Sequence, residues 1–272
     1  MLKDITLGQY FPGDSIIHKL DARIKIIIVM LFITTIFVAT NFTGYAVMYV
    51  FLTVIVLVSK ISIKTVLKSL KPILFILVFT AFANIFLTTG KVALFSFWFI
   101  KVYPEGIIYA VMMGLRIICL IIGTFVLLTY TTSPVALTDA IERLLSPLAK
   151  LKVPTHEFAM MMTIALRFIP TLIEETDKII NAQKARGADF ETGSLMKRAK
   201  ALIPILIPLF VSAFRRADEL AAAMECRLYH GGEGRTRMTV LKLTFSDIVV
   251  LFVFILMLAL ILFLNTVFVR VI

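Results

Sequence analysis

Five stretches of this chain are almost uncharged and long enough to cross a bilayer. They cover residues 24–42, 44–59, 72–89, 106–131 and 248–269. Crossing the hydrocarbon core takes about 20 apolar residues in a helix, with a range of ~17–25. No water is available there, so each stretch must satisfy its own backbone, and a helix does so. The 44–59 window is the shortest of the five. Composition agrees with this reading: 60% of the 272 residues are hydrophobic, 17% are charged and the mean hydropathy is +0.98. A soluble domain is about 45–50% apolar and ~25% charged. These values disfavour a soluble enzyme, a nucleic-acid binder and a disordered chain. The expected fold class is all-α: a polytopic membrane protein with about five transmembrane helices and a cytoplasmic domain of long amphipathic helices.

The net charge of +11 reports where the loops lie. Lys and Arg collect on the cytoplasmic side of membrane proteins. Residues 1–23, the 60–71 link and residues 131–245 together hold 23 Lys and Arg, and the opposite side holds three. That asymmetry puts the N-terminus and the long 131–245 stretch in the cytoplasm. Lys25 and Arg116 sit within spans, and Lys25 is close enough to an end to snorkel. With Pro12, Gly13, Asp14 and Asp21, residues 1–23 do not read as a cleaved signal. The 94–100 segment is aromatic but too short to span. It reads as an interfacial hairpin or re-entrant element with Trp98 at headgroup level. Ser246 and Asp247 read as a helix N-cap pair for the last span.

Residues 131–245 carry 16 basic and 12 acidic residues and still show helical periodicity. Ser133-Pro134 opens a first helix, with an apolar stripe at Leu137, Ile141, Leu144, Leu145 and Leu148, and Pro147 bends or ends it. Thr155 reads as the cap of a second helix, whose stripe runs from Phe158 to Ile180 at 3.6-residue spacing. Pro170 should kink that helix, and Gly187 should stop it. A third starts near Ser194 and runs to about Leu228, where 229–234 breaks it. Its 201–214 segment is apolar, holds Pro204 and Pro208, and is too short to span. Ala213, Ala217 and Ala221, four apart, suit close approach of another helix. Such faces belong to the core of a helical cytoplasmic domain, or rest on a membrane surface or a partner helix.

The search for catalytic chemistry is mostly negative. The only Gly-Lys, Gly90-Lys91, is followed by Val92, so there is no phosphate-cradling Walker loop. His156-Glu157 lacks the second His of a zinc protease. His18, His156 and His230 are scattered, and neither a metal site nor a cofactor is expected. Cys119 and Cys226 lie in different settings, so no disulfide is expected. Arg116 is the one strong charge deep in a span. An intramembrane charge is a functional candidate by default, but the ordinary alternative is pairing with carbonyls or a polar group such as Asn84. Arg186 (in Ala185-Arg186-Gly187) and Arg227 (in Glu225-Cys226-Arg227) fall at two helix ends. A rigid, always-charged guanidinium there can enter a partner's groove. Either could be an ordinary helix-end charge, yet two similar tips on one domain suit two similar partners.

These residues resemble the transmembrane T component of energy-coupling factor transporters, the membrane scaffold of vitamin-importing ABC-type complexes. The likeness runs through Gly8-Gln9-Tyr10, Pro12-Gly13-Asp14-Ser15 and His18-Lys19-Leu20-Asp21-Ala22-Arg23. It continues in Thr131-Thr132-Ser133-Pro134, Pro147-Leu148 and Arg167-Phe168-Ile169-Pro170. It ends with Ala182-Gln183-Lys184-Ala185-Arg186-Gly187, Met224-Glu225-Cys226-Arg227-Leu228-Tyr229 and Arg235-Thr236. The resemblance implies two cytosolic ATPase subunits, each docked on one of the tips at residues 185–187 and 225–227. It implies a membrane-embedded, substrate-binding S component held on the apolar helix faces. Leu228, where relatives often carry Gly, departs from the pattern and is expected to alter the bend while leaving Arg227 in place.

The resulting expectation is a non-catalytic scaffold in the cell membrane. Residues 1–132 hold the first four spans, 133–245 the cytoplasmic coupling domain and 246–272 the last span. Rival readings are a secondary transporter that binds its substrate directly and a membrane enzyme. A third is a basic protein holding anionic lipid through Lys60, Lys64, Lys68 and Lys71, each worth ~1 kcal/mol near the surface.

Overall fold

A computed structural model describes residues 10–89, 95–97, 100–151, 154–190, 194–231 and 243–267. Gly8, Gln9, Lys91, Val92, Trp98, Gly232, Glu233, Gly234, Arg235 and Thr236 lie outside the described residues, so the readings placed on them are not addressed by it. Among the described residues the chain is helical apart from one short hairpin. The contacts divide it into two compact units. One draws on 8–137 and 240–272, the other on 138–239.

The first unit holds four of the five stretches long and apolar enough to span a membrane. It begins with a single turn, α1 (Ile16–Lys19), capped by the Ser15 hydroxyl. Helix α2 (Ala22–Val38) follows, with Asp21 as its N-cap accepting from the Arg23 N–H. Next come α3 (Phe42–Ser59), α4 (Ile63–Leu70) and α5 (Leu74–Leu87). A 3₁₀ turn at Lys71–Ile73, holding Pro72, joins α4 to α5. The two make a nearly continuous stretch, Ile63–Leu87, long and apolar enough to span. Strands β1 (Phe95–Phe97) and β2 (Ile100–Val102) pair antiparallel, with Phe95 opposite Val102. Helix α6 (Pro104–Thr124) continues into a π-helical turn, Phe125–Thr129. The unit closes with α10 (Phe245–Val267).

The core of this unit forms where α2, α3, α6 and α10 meet. Phe32, Ile36, Met48, Met112, Cys119, Val126 and Ile261 are fully buried there. Gly123 is required by the packing: a Cβ at that position would lie 2.0 Å from Cε1 of Phe32. The outward faces stay apolar and exposed, as on α5, where Phe75, Phe79 and Phe82 stand out. In water such a surface is a liability; in lipid it is the solvated face.

Among the described residues five helical stretches are at least 18 residues long and apolar enough to cross a membrane, and four of them correspond to windows read from sequence. The 24–42 window forms α2, whose 17 residues make roughly 26 Å at 1.5 Å per residue. That is the short end of the ~17–25-residue range that crosses a bilayer. The fifth long apolar stretch, Thr155–Ala185 in the second unit, is the least apolar, with a mean hydropathy of 1.2 against 3.2 for α10. Lys25 does not snorkel to water. It is 3% exposed, and its Nζ donates to the Thr131 carbonyl at 2.8 Å, Thr132 Oγ1 at 3.2 Å and the His18 carbonyl at 3.2 Å.

The second unit holds two long helices. Helix α7 (Pro134–Leu145) leads toward it and passes into a 3₁₀ segment, Ser146–Leu151, at Pro147. Helix α8 is Thr155–Ala185 and α9 is Leu195–Cys226. Thr155 is not a cap. Pro154 occupies that position, and no side chain caps the end. Ser194 does cap α9, accepting from the Lys197 N–H. At α10 the sequence reading is displaced. Thr244 precedes the helix, and Asp247 reaches back to accept its N–H at 2.7 Å, the reciprocal half of a capping box. The other Asp247 oxygen accepts from the Asp21 N–H at 2.8 Å, tying the starts of α2 and α10 together.

Candidate functional site

The two arginine motifs end their helices in the same way. Arg186 is the C-cap of α8, and Gly187 follows in the left-handed region at φ +86°. The Gly187 N–H donates to the Lys184 carbonyl and the Ala188 N–H to the Gln183 carbonyl. Arg227 is the C-cap of α9, and Leu228 follows at φ +55°. The Leu228 N–H donates to the Glu225 carbonyl and the Tyr229 N–H to the Met224 carbonyl. Both are Schellman motifs, which close a helix by satisfying its last carbonyls. Each leaves the arginine on the final helical position. Ala185, Arg186, Gly187, Glu225, Cys226 and Arg227 are all exposed. Among the described residues neither guanidinium has a side-chain partner. Leu228 therefore does not change the bend: it adopts the conformation that Gly187 adopts at the other tip.

The helices run antiparallel. Glu175 on α8 accepts from Arg216 on α9 at 3.0 Å and from the Ser212 hydroxyl. Further along α8, Gln183 donates to the carbonyl of Pro204 at 3.4 Å, which lies back toward the start of α9. Pro208 has no N–H, so the carbonyl four residues earlier, that of Pro204, loses its helical donor. The Gln183 amide takes it up. Hydrogen bonds from Ser212 and, opposed by slight burial, the charge of Arg216 hold the Glu175 carboxyl below the ordinary carboxylate value.

The Glu175–Arg216 pair is also the geometric centre of the module. Arg186 follows Glu175 by eleven residues, and Arg227 follows Arg216 by eleven. Each arm is therefore about 16 Å of helix, pointing opposite ways. The structure does not gather the two motifs into one site. It places them at opposite ends of an antiparallel pair with nearly two-fold spacing. Between them α9 exposes Leu202, Ile207, Phe210, Val211 and Phe214, and the start of α8 exposes Phe158, Met161 and Met162. Ala217 and Ala221 are exposed too, so α8 does not cover that small-residue stripe.

A family model described as cobalt transport protein, CbiQ, matches residues 13–240. The chain belongs to this family. Within it, the energy-coupling factor transporter transmembrane protein EcfT of Clostridium kluyveri is 58% identical over 250 residues, 92% of each chain. The protein of the same name from Ruminiclostridium cellulolyticum is 57% identical, over 92% of this chain and 93% of its own. That of Bacillus subtilis is 47% identical over 97% of this chain and all of its own. The chain is thus a multi-pass membrane component of a transporter. Its motifs resemble this same family.

Arg116 in this family member meets neutral groups. Its Nε donates to the Tyr45 hydroxyl at 2.8 Å and its NH2 group lies 3.5 Å from the Ala39 carbonyl. Its guanidinium stands over the Phe37 ring at 5.8 Å. Asn84 is not a partner; its amide donates to the Thr80 carbonyl in its own helix. Among the described residues no group of three His, Cys, Asp or Glu could hold a metal ion. Two parts of the module escaped the sequence reading: the Glu175–Ser212–Arg216 clamp and the Gln183–Pro204 link. The second had a signal, since prolines four apart always free a carbonyl.

Proposed function

We propose that this chain is the transmembrane scaffold of an energy-coupling factor importer, passing the work of two partner ATPases to a separate substrate-binding subunit. The observation that carries this reading is the pair of equivalent Schellman tips, Arg186 and Arg227, on equal arms about Glu175–Arg216. Each exposed guanidinium docks one cytosolic ATPase, and ATP is hydrolysed there, not in this chain. The apolar faces of α8 and α9 hold a membrane-embedded S component, which selects the vitamin or other micronutrient. Residues 133–245 form the coupling domain on the cytoplasmic side of the cell membrane. Residues 1–132 and 246–272 anchor it in the bilayer. The names of the relatives and the Lys/Arg asymmetry support that placement.

The test is co-purification. Arg186→Glu/Arg227→Glu reverses both tip charges, and losing one desolvated charged contact costs ~2–5 kcal/mol. ATPase subunits should no longer co-purify with the double variant, while its yield in the membrane stays normal. Retention of both ATPases at the unmodified level would reject the docking role.

A further inference from the structure

Two cavities in the first unit share a wall, and their chemistries differ. One is apolar, with a volume of about 210 Å³, and runs beside Leu20, Ile28, Val54, Leu127 and Val253. The other is polar, with a volume of about 260 Å³, and lies among Tyr10, His18, Lys19, Asp21, Thr132 and Ser133. Leu20 and Lys25 line both. The arrangement has the form of an amphiphile: a polar compartment next to a dry one, at the end of α2 where the charge asymmetry puts the cytoplasmic membrane surface.

The polar compartment favours an anion. Lys19 is exposed at its edge, and Lys25 is buried in its wall. Lys25 uses its three protons on neutral oxygens, so among the described residues no carboxylate stands within ion-pair distance of it. Buried charges are costly unless a counter-charge is near. The charges of Asp247 and Asp21 reach Lys25 without an ion-pair contact, and both groups are committed to other partners. Asp21 lines the cavity, but its carboxylate holds Arg23 at 2.7 Å and caps α2. Asp247 accepts the Asp21 and Thr244 N–H groups and lines neither cavity. His18 sits on the wall as a neutral ring, its Nε2–H donating to the Phe11 carbonyl at 3.0 Å and its Nδ1 facing the Ser15 hydroxyl at 2.6 Å. It therefore neither adds charge nor repels an anion.

We propose that this pair of cavities binds one anionic glycerophospholipid, its phosphate beside Lys19 and Lys25 and one acyl chain along Ile28, Val54 and Val253. A free phosphate would fit the polar half alone. The apolar half, continuous at Leu20 and Lys25, selects the lipid. The site is separate from the α4 lysines and from the arginine tips, and it does not depend on the docking role proposed above.

The experiment is native mass spectrometry of the full-length chain, purified in mild detergent and equilibrated with phosphatidylglycerol. The unmodified chain should retain one lipid. Lys19→Gln removes one surface cation and should lower retention about fivefold, the equivalent of ~1 kcal/mol per lysine near a lipid surface. Val54→Trp and, as a second blocking variant, Val253→Trp should each lower it at least as much by filling the chain compartment. Lys64→Gln/Lys68→Gln should leave it unchanged, and excess inorganic phosphate should not displace the lipid. Equal loss in the α4 variant would mean general surface charge and overturn the site. Displacement by phosphate, with neither Trp variant having an effect, would mean a free-anion site and overturn the lipid. Failure of the unmodified chain to retain any lipid would overturn it outright.

Discussion

Leu228 and Gly187 occupy the same position in two Schellman motifs, and exchanging their character should move stability in opposite directions. Leu228 sits at φ +55°, where an L-residue pays roughly 1–2 kcal/mol because its Cβ crowds the carbonyl. Its side chain is 76% exposed, so Leu228→Gly sacrifices almost no packing. Glycine gives back about 0.5–1 kcal/mol through its freer unfolded chain. The net expectation is a last turn of α9 more stable by about 0.5–1 kcal/mol, or roughly two- to fivefold at tenfold per 1.4 kcal/mol. At the other tip a Cβ on Gly187 would meet nothing within 4 Å. Gly187→Ala therefore isolates the backbone cost at φ +86°, and the last turn of α8 should lose stability by a similar amount. Amide hydrogen exchange reads both effects locally. The N–H groups of Leu228 and Tyr229 should exchange more slowly in the first variant, and those of Gly187 and Ala188 faster in the second. Faster or unchanged exchange at Leu228 and Tyr229 in Leu228→Gly would refute the strain argument. ATPase co-purification should survive Leu228→Gly, because Arg227 keeps its place.

Other consequences follow from single contacts. Gly123→Ala puts a methyl 2.0 Å from the fully buried Phe32 ring; overpacking of this kind costs about 1–3 kcal/mol. The melting temperature in detergent should drop, and adding Phe32→Leu should recover part of the loss; an unchanged melting temperature would show that the core yields there. The clamp at Glu175 is partly exposed, so its ion pair should be worth no more than about 1 kcal/mol. A Glu175→Gln/Arg216→Gln double-mutant cycle measures it, and its contribution should fade as pH falls through the lowered Glu175 value. Burial, first among its causes, holds the His18 imidazole below its ordinary 6.5. The folded segment from Phe11 to Lys19 therefore keeps its full stability above that value and loses it as pH falls below it, because the unfolded chain binds the proton first. Limited proteolysis should cut this segment faster in mild acid, and equal cutting at both pH values would contradict the neutral ring.

What could be read from the residues is what depends on local rules. The spans followed from apolar length alone, with α2 at the short end of the range and α8 reaching comparable length on a mean hydropathy of only 1.2. Gly187 announced its own turn because glycine is the residue that takes positive φ without cost. Leu228 could not announce the same turn. There the hydrogen bonds of the motif impose the conformation on a residue that disfavours it. Cap positions at Thr155 and Ser246-Asp247 were displaced because the identity of a cap depends on which carbonyl starts the ladder. Arg116 and Tyr45 lie 71 positions apart, and no local pattern joins them.

On the proposed function, the equal arms decide what kind of motion the module can pass on. Two like subunits that close on each other move through a two-fold operation and push the tips at Arg186 and Arg227 by equal amounts. With arms of about 16 Å on each side of Glu175–Arg216, equal and opposite pushes turn α8 against α9 like a scissor. Unequal arms would instead tilt the pair as a whole. A pivot must also hold position without resisting rotation. A partly exposed ion pair with a hydroxyl beside it suits that role better than a buried apolar lock would, because an ion pair can swivel with its partners in water. The Gln183–Pro204 bond lies on one arm only. It ties the Arg186 end of α8 to the proline-containing part of α9, the stretch that carries Leu202, Ile207 and Phe210. Scissoring would therefore re-angle the apolar face offered to the substrate-binding subunit more directly from the Arg186 side than from the Arg227 side. The two docking sites would be alike in geometry and unequal in effect. Single variants, Arg186→Glu and Arg227→Glu, should then differ in transport even where each loses one ATPase. Equal transport defects in the two would remove the asymmetry assigned to Gln183.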